Sequence, residues 1–328
     1  MAAKVKVLVT GGAGYIGSVT TRLLIEAGYE VIVYDNLSQG HRAAVLKPAR
    51  LIVGDLGDAQ HLDRVMRDEK PDAVMHFAGL IAVGESVQKP ELYFYNNVAC
   101  GINLLNSCLR YQVKKLIFSS TAAVYGLPEK IPITEECPLA PANPYGDTKK
   151  IFEDLLCAYS RAGGLRFCSL RYFNVAGAYA GLGEDHRPET HLIPRILRSL
   201  LHQGETFEIY GDDYPTPDGT CIRDYIHIYD LAKAHILALE ALQGNNLIYN
   251  LGSEKGYSVR EVFATAERVT GKKIPFKIVG RREGDVPVLI ASSAKIKKEL
   301  GWRPTRNLEE MINDAWEWHK ANPRGYPD

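Results

Sequence analysis

The chain has 328 residues, with 39 Lys+Arg against 39 Asp+Glu and a 46% hydrophobic share. That length and apolar content exclude disorder and collagen-like repeats and suit about two compact units, at roughly 100–200 residues each. A formal net charge of zero supplies no global field for phosphodiester backbones or anionic lipid, so neither nucleic acid nor a membrane is expected as partner.

In chain order, short and uniformly apolar β-branched runs fall at 5–10, 30–35, 51–53, 72–77, 115–120, 165–170 and 247–251. Runs of this kind read as strands buried on both faces. Between the first two, Ile16, Val19, Leu23 and Leu24 share one face of a predicted helix over 16–27, and Gly28 stops it. Strand, helix, strand is the βαβ unit. The predicted fold class is α/β, a doubly wound parallel sheet of the Rossmann type, with its chemistry at the carboxyl ends of the strands.

After about Asn174 the texture changes to loops rich in Gly, Pro, Asp and His at 181–188 and 211–219, separated by a predicted helix at 192–202. This stretch reads as part of a smaller α/β substrate domain. A helix at 230–243 followed by the 247–251 strand returns to the first pattern. Residues 1–174 plus about 223–252 are therefore assigned to a dinucleotide-binding domain, and about 175–222 plus 253–328 to the second domain.

The six cysteines (100, 108, 137, 157, 168 and 221) include no pair at two-residue spacing, so neither a zinc knuckle nor a redox pair is written here, and no metal site is expected. Reduced, mostly buried thiols are the expectation. No apolar run reaches the roughly 18 residues that span a bilayer, and the first strand runs into a glycine loop instead of a cleavage site; the expected compartment is the cytoplasm.

Thr10-Gly11-Gly12-Ala13-Gly14-Tyr15-Ile16-Gly17 follows a predicted strand and opens a predicted helix. In that context Gly11 and Gly12 permit a tight turn, Gly14 lets the backbone approach a pyrophosphate, and Gly17 lets helix and strand pack closely. Asp35 ends the second strand 18 residues after Gly17, near the spacing of about 20 for the acid that binds a ribose diol. It favours NAD over NADP, with Arg42 nearby as a cation that a 2′-phosphate would need. Asp55, after the third strand, suits an adenine contact or a surface turn equally.

Asn143-Pro144-Tyr145-Gly146-Asp147-Thr148-Lys149 puts Tyr145 and Lys149 four apart, on one helical face. A tyrosine is a poor base at neutral pH, but an ammonium and a cationic nicotinamide beside it favour phenolate. The strand ending in Ser119-Ser120-Thr121 brings hydroxyls to the sheet's carboxyl edge, where Thr121 can bond the reacting oxygen and pass its proton to Tyr145.

With TGGAGYIGS at 10–18, YDNLS at 34–38, HFAGLIAVGESVQKP at 76–90, FSSTAAVYG at 118–126 and PYGDTK at 144–149, the chain resembles the extended short-chain dehydrogenase/reductase family. LRYFNVAGA at 170–178, YGDDYPTPDGTCIRDYIHIYDLA at 210–232, REGD at 282–285 and a terminal GYPD extend the likeness, to the branch that epimerises UDP-hexoses at C4. The resemblance implies NAD-dependent interconversion of UDP-galactose and UDP-glucose through a 4-keto-hexose, with the hydride returned to the opposite face.

It also implies roles. Tyr145 is the base, Lys149 orients the nicotinamide ribose and lowers the tyrosine, and Thr121 is the hydroxyl partner. Tyr15, Ile16, Asn36, Asp55, Leu56, Phe77, Ala78, Gly79, Asn96, Ser119 and Tyr172 line the cofactor beside the glycines and Asp35. Asn174, Arg223 and Arg282 hold the diphosphate, Asp285 the uridine ribose, Tyr210 the uracil, and His191 and Leu192 the sugar or UDP. A homodimer through helices at 92–109 and 144–160 is implied, with Leu155, Leu156 and Tyr159 as candidates for it or for internal packing.

The chain departs from the family pattern at four positions. Ile81 stands where many members carry a lysine near the cofactor phosphates. Asp147 lies off the catalytic face and is expected to matter little. His191 replaces a frequent asparagine. Leu289 occupies the position whose bulk limits the C2 substituent, which leaves N-acetylhexosamine substrates open. A dehydratase is disfavoured because Ala122-Ala123 follow Thr121 where acid and base would be needed. UDP-glucuronate or UDP-pentose epimerisation and UDP-glucuronate decarboxylation stay compatible with these residues, as does a catalytically silent NAD-sensing protein.

Overall fold

The computed structural model describes residues 4–202, 206–281 and 285–327. The first half runs β1 (Lys6–Thr10), α1 (Tyr15–Glu26), β2 (Glu30–Asp35), β3 (Arg50–Val53), α2 (Ala59–Glu69), β4 (Ala73–His76), α3 (Val83–Gln88), α4 (Pro90–Tyr93), α5 (Cys100–Arg110), β5 (Lys115–Thr121) and α6 (Pro144–Gly163). A π-helical turn, Phe94–Ala99, joins α4 to α5, and a 3-10 turn, Ala122–Tyr125, follows β5. Then come β6 (Arg166–Tyr172), β7 (Asn174–Ala176), α7 (Leu192–His202), β8 (Phe207–Tyr210), β9 (Ile222–His227), α8 (Ile228–Ala241) and β10 (Leu247–Leu251). The chain closes with β11 (Gly256–Ser258), α9 (Val259–Thr270), β12 (Phe276–Val279), β13 (Val288–Leu289), α10 (Ala294–Leu300) and α11 (Leu308–Ala321).

The seven runs read as strands form one seven-stranded sheet in the order β10-β6-β5-β4-β1-β2-β3, parallel throughout. Their uniform hydrophobicity follows from burial on both faces. Val7 and Val9 join Val31, Val33 and Met75 in the core under α1 and α8, while Leu8 points the other way, with Ile32, Val74 and Leu116 under α2, α5 and α6. Each such side chain contributes about 1.5–3 kcal/mol on full burial.

Strand order reverses between β1 and β4, so their carboxyl ends open the crevice where this architecture seats its ligand. A smaller sheet carries β11, β9 and β13 in that order, with β7 also paired to β9. A separate pair joins β8 and β12. The return to the large sheet comes with α8 and not at about 223 as the sequence suggested, because β9 keeps all its described pairings in the small sheet. All six cysteines are free, four of them buried.

The terminal GYPD motif ties the loop after β2 to the segment that precedes α7. Tyr326 N donates to Asp185 Oδ2 at 3.0 Å, its ring stacks on His41 at 5.0 Å between centroids, and Gly183 N donates to its hydroxyl. Asp185 is thereby fixed against the loop that follows β2, since its carbonyl lies 2.9 Å from His41 Nε2.

Candidate active site

The turn after β1 is built as a cradle. A Cβ on Gly11, which sits at φ +72°, would lie 2.4 Å from Ala78 N, and one on Gly17 would lie 2.2 Å from Gly11 O. β1, β4 and α1 therefore approach as closely as glycine allows. Gly14 caps α1 with no side-chain hydrogen bond, and no acidic residue occupies the first turn, which leaves the helix N-terminus to an anion. A Cβ on Gly14 would meet only Gly11 O, at 3.4 Å, so the face over it is open to a pyrophosphate.

Asp35 ends β2, almost buried, and its carboxylate accepts from Ala13 N at 3.0 Å and Leu37 N at 2.8 Å. Burial pushes its pKa up, against those two amides. Asn36 Nδ2 donates to Asp55 Oδ2 at 2.6 Å, which places an amide and a carboxylate beside Leu56 at the end of β3. Phe77, Ala78 and Gly79 lie half-buried after β4. These donors, acceptors and bare backbone fit a dinucleotide with a free ribose diol.

The Tyr15 side chain is buried and donates to Gly177 O at 2.6 Å, so the cofactor role expected of Tyr15 falls to its backbone. Asn96 Nδ2 donates to Asn97 Oδ1, and Asn97 also bonds Leu80 N, Leu80 O and Thr148 Oγ1. Asn97, which sequence reasoning missed, locks the π-helical turn to α6. No periodicity announces a π turn.

Tyr145 and Lys149 occupy one face of α6, which begins on an Asn143 side-chain cap with Pro144 in its first turn. Lys149 is buried, and its ammonium donates to Ser119 O at 2.9 Å, 5.0 Å from the Phe118 ring centroid and 5.9 Å from that of Tyr145. Ser119 Oγ in turn bonds the Tyr172 hydroxyl. Gly146, also missed, explains how α6 meets β5: a Cβ there would lie 2.7 Å from Ala123 O. The close approach sets Tyr145, one residue before Gly146, close to Thr121, whose Oγ1 accepts from Ala123 N at 3.1 Å.

Burial pushes the Tyr145 phenol up to about 12, and Thr121 acts to lower it. Burial likewise pulls Lys149 down to about 8, while Glu153 acts to raise it. Glu153 lies one turn beyond Lys149, where i+4 spacing could have disclosed it. It is buried with Arg171 at 2.5 Å and accepts from Ser120 Oγ at 2.5 Å.

The nucleotide-sugar candidates gather on the small sheet. Arg223 on β9 stands opposite Leu289 on β13, its guanidinium donating to Val286 O at 2.6 Å and lying 3.5 Å from Asp285 Oδ1. Asn174 on β7 donates to Asp224 O at 3.1 Å. Asp224, unnoticed in the sequence, is fully buried and accepts from the amides of Ser253, Glu254 and Ala291 and from the Ser253 hydroxyl. Leu289 and Ala122 both pack against one apolar cluster that includes Tyr125 and Phe173, which joins the small sheet to the turn after Thr121.

Other candidates stand apart. Tyr210 ends β8, 38% exposed, with its hydroxyl on Glu208. Leu192 opens α7, and His191 just before it holds Nδ1 2.5 Å from Glu184 Oε1, so that nitrogen is engaged within its own loop. Arg282 lies outside the described residues. Ile81 is exposed, and Asp147 sits in the first turn of α6, where a carboxylate complements the helix dipole. Leu156 is wholly spent in the core, and Tyr159 donates to Asn106 Oδ1.

Residues 7–252 match the model of the NAD dependent epimerase/dehydratase family. A UDP-glucose 4-epimerase of Lactobacillus helveticus is 49% identical, over 98% of this chain and 99% of its own. Among solved structures, UDP-glucose 4-epimerase from Brucella ovis in complex with NAD is 46% identical, with a TM-score of 0.93 over 96% of this chain and 98% of that one. The Bifidobacterium longum enzyme in complex with NAD+ and UDP is 40% identical, with a TM-score of 0.94 over 98% and 100%.

Proposed function

From the premise that the chain belongs to the NAD dependent epimerase/dehydratase family, we propose that it interconverts UDP-galactose and UDP-glucose through a 4-keto-hexose. The observation that carries the reading is the Thr121–Tyr145–Lys149 group, set against the glycine cradle on one side and the small sheet on the other.

Gly11, Gly14 and Gly17 with the α1 N-terminus would hold the pyrophosphate of NAD, and Asp35 its ribose diol. NAD supplies the hydride acceptor, and then the donor, for sugar C4. The chain's own task is the O4 proton. Thr121 orients the sugar hydroxyl and Tyr145 takes its proton, returning it after the 4-keto sugar has turned. Lys149 keeps a positive charge near the Tyr145 ring, 5.9 Å from its centroid. Asp285 and Arg223 with Asn174 would hold the UDP end, so that the hexose itself is free to rotate between half-reactions. Ala122 and Ala123 offer no acid or base for dehydration.

Two further statements belong to the same proposal. Two copies pair through the outer faces of α5 and α6, which light scattering on the eluted protein checks. The protein works in the cytoplasm, in keeping with six unpaired cysteines; among the described residues no helix is long and apolar enough to cross a membrane.

The test is incubation of the purified protein with UDP-galactose, without added nicotinamide cofactor, followed by NMR. Appearance of UDP-glucose supports both 4-epimerisation and retained NAD. No conversion even after NAD is supplied would reject the hexose and point to a UDP-uronate, UDP-pentose or UDP-N-acetylhexosamine.

A further inference from the structure

The loop between β7 and α7 gathers Glu184, His186, Glu189 and His191, one ligand-type atom from each lying within 4.8 Å of the others. The cluster sits at the junction of the two units. Glu184 and Glu189 both act on the buried Tyr15 of the glycine loop, and Asp185 between them is held by Arg187, Arg198 and Tyr326 N.

Two arrangements satisfy two imidazoles beside two carboxylates. In an ion-pair network each ring N–H aims at an oxygen. The His191 Nδ1 contact of 2.5 Å to Glu184 Oε1 suits either arrangement, since that nitrogen donates when protonated and offers a lone pair when it is not. The contacts of His186 do not suit the ion-pair network. Its Nδ1 is buried, 3.2 Å from Glu184 Oε1 and 3.6 Å from Glu189 Oε2, and it makes no hydrogen bond to either. A buried N–H left without an acceptor costs free energy, whereas a lone pair directed between two oxygens at a common centre does not.

Glu189 is suitably divided, since its Oε1 accepts from the amides of Thr190 and His191 while Oε2 faces His186. Ligand bonds of about 2.0–2.1 Å in a tetrahedron place neighbouring ligand atoms about 3.4 Å apart. The separations here, 2.5 Å from Glu184 Oε1 to His191 Nδ1 and 3.2 and 3.6 Å from His186 Nδ1 to Glu184 Oε1 and Glu189 Oε2, bracket that value.

We propose that Glu184, His186, Glu189 and His191 form a binding site for one divalent transition cation of the zinc type. Two imidazole nitrogens and two carboxylate oxygens suit that class better than magnesium or calcium, which take oxygen sets. The two carboxylates balance the charge of the ion. Four ligands from one short loop close the coordination shell, so the site is structural: it folds the segment that leads into α7 on itself.

The full-length protein, freed of metal by a chelator and dialysed, is titrated with Zn2+ in competition with a chromophoric chelator. The expected result is one ion per chain. Since loss of mere outer-shell partners costs about 10–100-fold in affinity, His186→Gln and Glu184→Gln should each weaken binding at least about tenfold. His202→Gln, an exposed histidine outside the cluster, should bind as wild type does. No uptake by the wild type, or equal affinity in all three variants, overturns the proposal. Co2+ added to the wild type gives a readout independent of how the variants fold: a visible ligand-field band is expected, and an unchanged spectrum overturns the site.

Discussion

Tyr172 and Asn174 are separated by one residue and belong to different sheets. The Tyr172 hydroxyl closes β6 onto Ser119 Oγ, beneath the Lys149 ammonium, while the Asn174 amide opens β7 on Asp224 O. Phe173 between them is nearly buried in the cluster that includes Ala122 and Leu289. The chain thus passes from the large sheet to the small one without a linker. On the function proposed above, a sugar held by the small sheet would be set in register with Tyr145.

Tyr145→Phe removes the titrating oxygen and almost no volume. Positioned acid–base groups contribute about 10²–10⁴-fold, so turnover of UDP-galactose should drop by at least about a hundredfold. The NAD content of the purified variant, read from its absorbance after denaturation, should match wild type. Activity within tenfold of wild type would remove Tyr145 from the role proposed for it.

Gly146→Ala should impair catalysis although alanine favours helix by about 0.5–1 kcal/mol. Its Cβ would meet Ala123 O at 2.7 Å and Pro141 Cβ at 3.0 Å, so α6 has to back away from the end of β5. A displacement of that order at a reacting centre costs up to about a hundredfold in rate. We expect kcat to fall with cofactor content unchanged. Unaltered kcat would mean that the 3-10 turn yields instead.

Lys149 gives the site a pH dependence with a defined sign. Burial pulls its ammonium down to about 8 and Glu153 acts against that pull. The charged form exists below about 8, so turnover should decline as pH rises through that value. Glu153→Gln removes the opposing influence, and the falling limb should move to lower pH. The same substitution strands a buried Arg171 and should cost about 3–5 kcal/mol in urea denaturation. A limb that stays in place in a folded variant would show that Glu153 does not set the Lys149 charge.

Asp224→Asn tests the hub of the small sheet. Two donors converge on each carboxylate oxygen, so an amide NH2 there must face donors with a donor. The buried mismatch should cost about 1–3 kcal/mol, seen as a lower urea midpoint. KM for the UDP-sugar should rise, because Asn174 is bonded to the Asp224 carbonyl and Arg223 is the preceding residue. An unchanged midpoint would mean that the donors find other acceptors.

All seven strands of the large sheet were legible, because burial on both faces leaves a continuous apolar run that chance seldom writes. The glycine loop and the Tyr145/Lys149 pair were legible too, since both depend on local spacing along a turn or a helix. Gly146 stood in view beside Tyr145, but its meaning depends on Ala123, which no local rule brings to it. Asn97 was hidden by the π turn, and Asp224 by being one acid among many until Ser253, Glu254 and Ala291 converge on it.

The sequence by itself determined the α/β class and set out the glycine turn and the Tyr145/Lys149 pair, because these rest on backbone conformation and on neighbours a few residues apart. The tertiary structure alone decided the state of those groups. Burial holds Tyr145 up and Lys149 down, β9 stays with the small sheet, and His191 turns toward Glu184, because desolvation and contact depend on what the whole chain brings close and not on spacing.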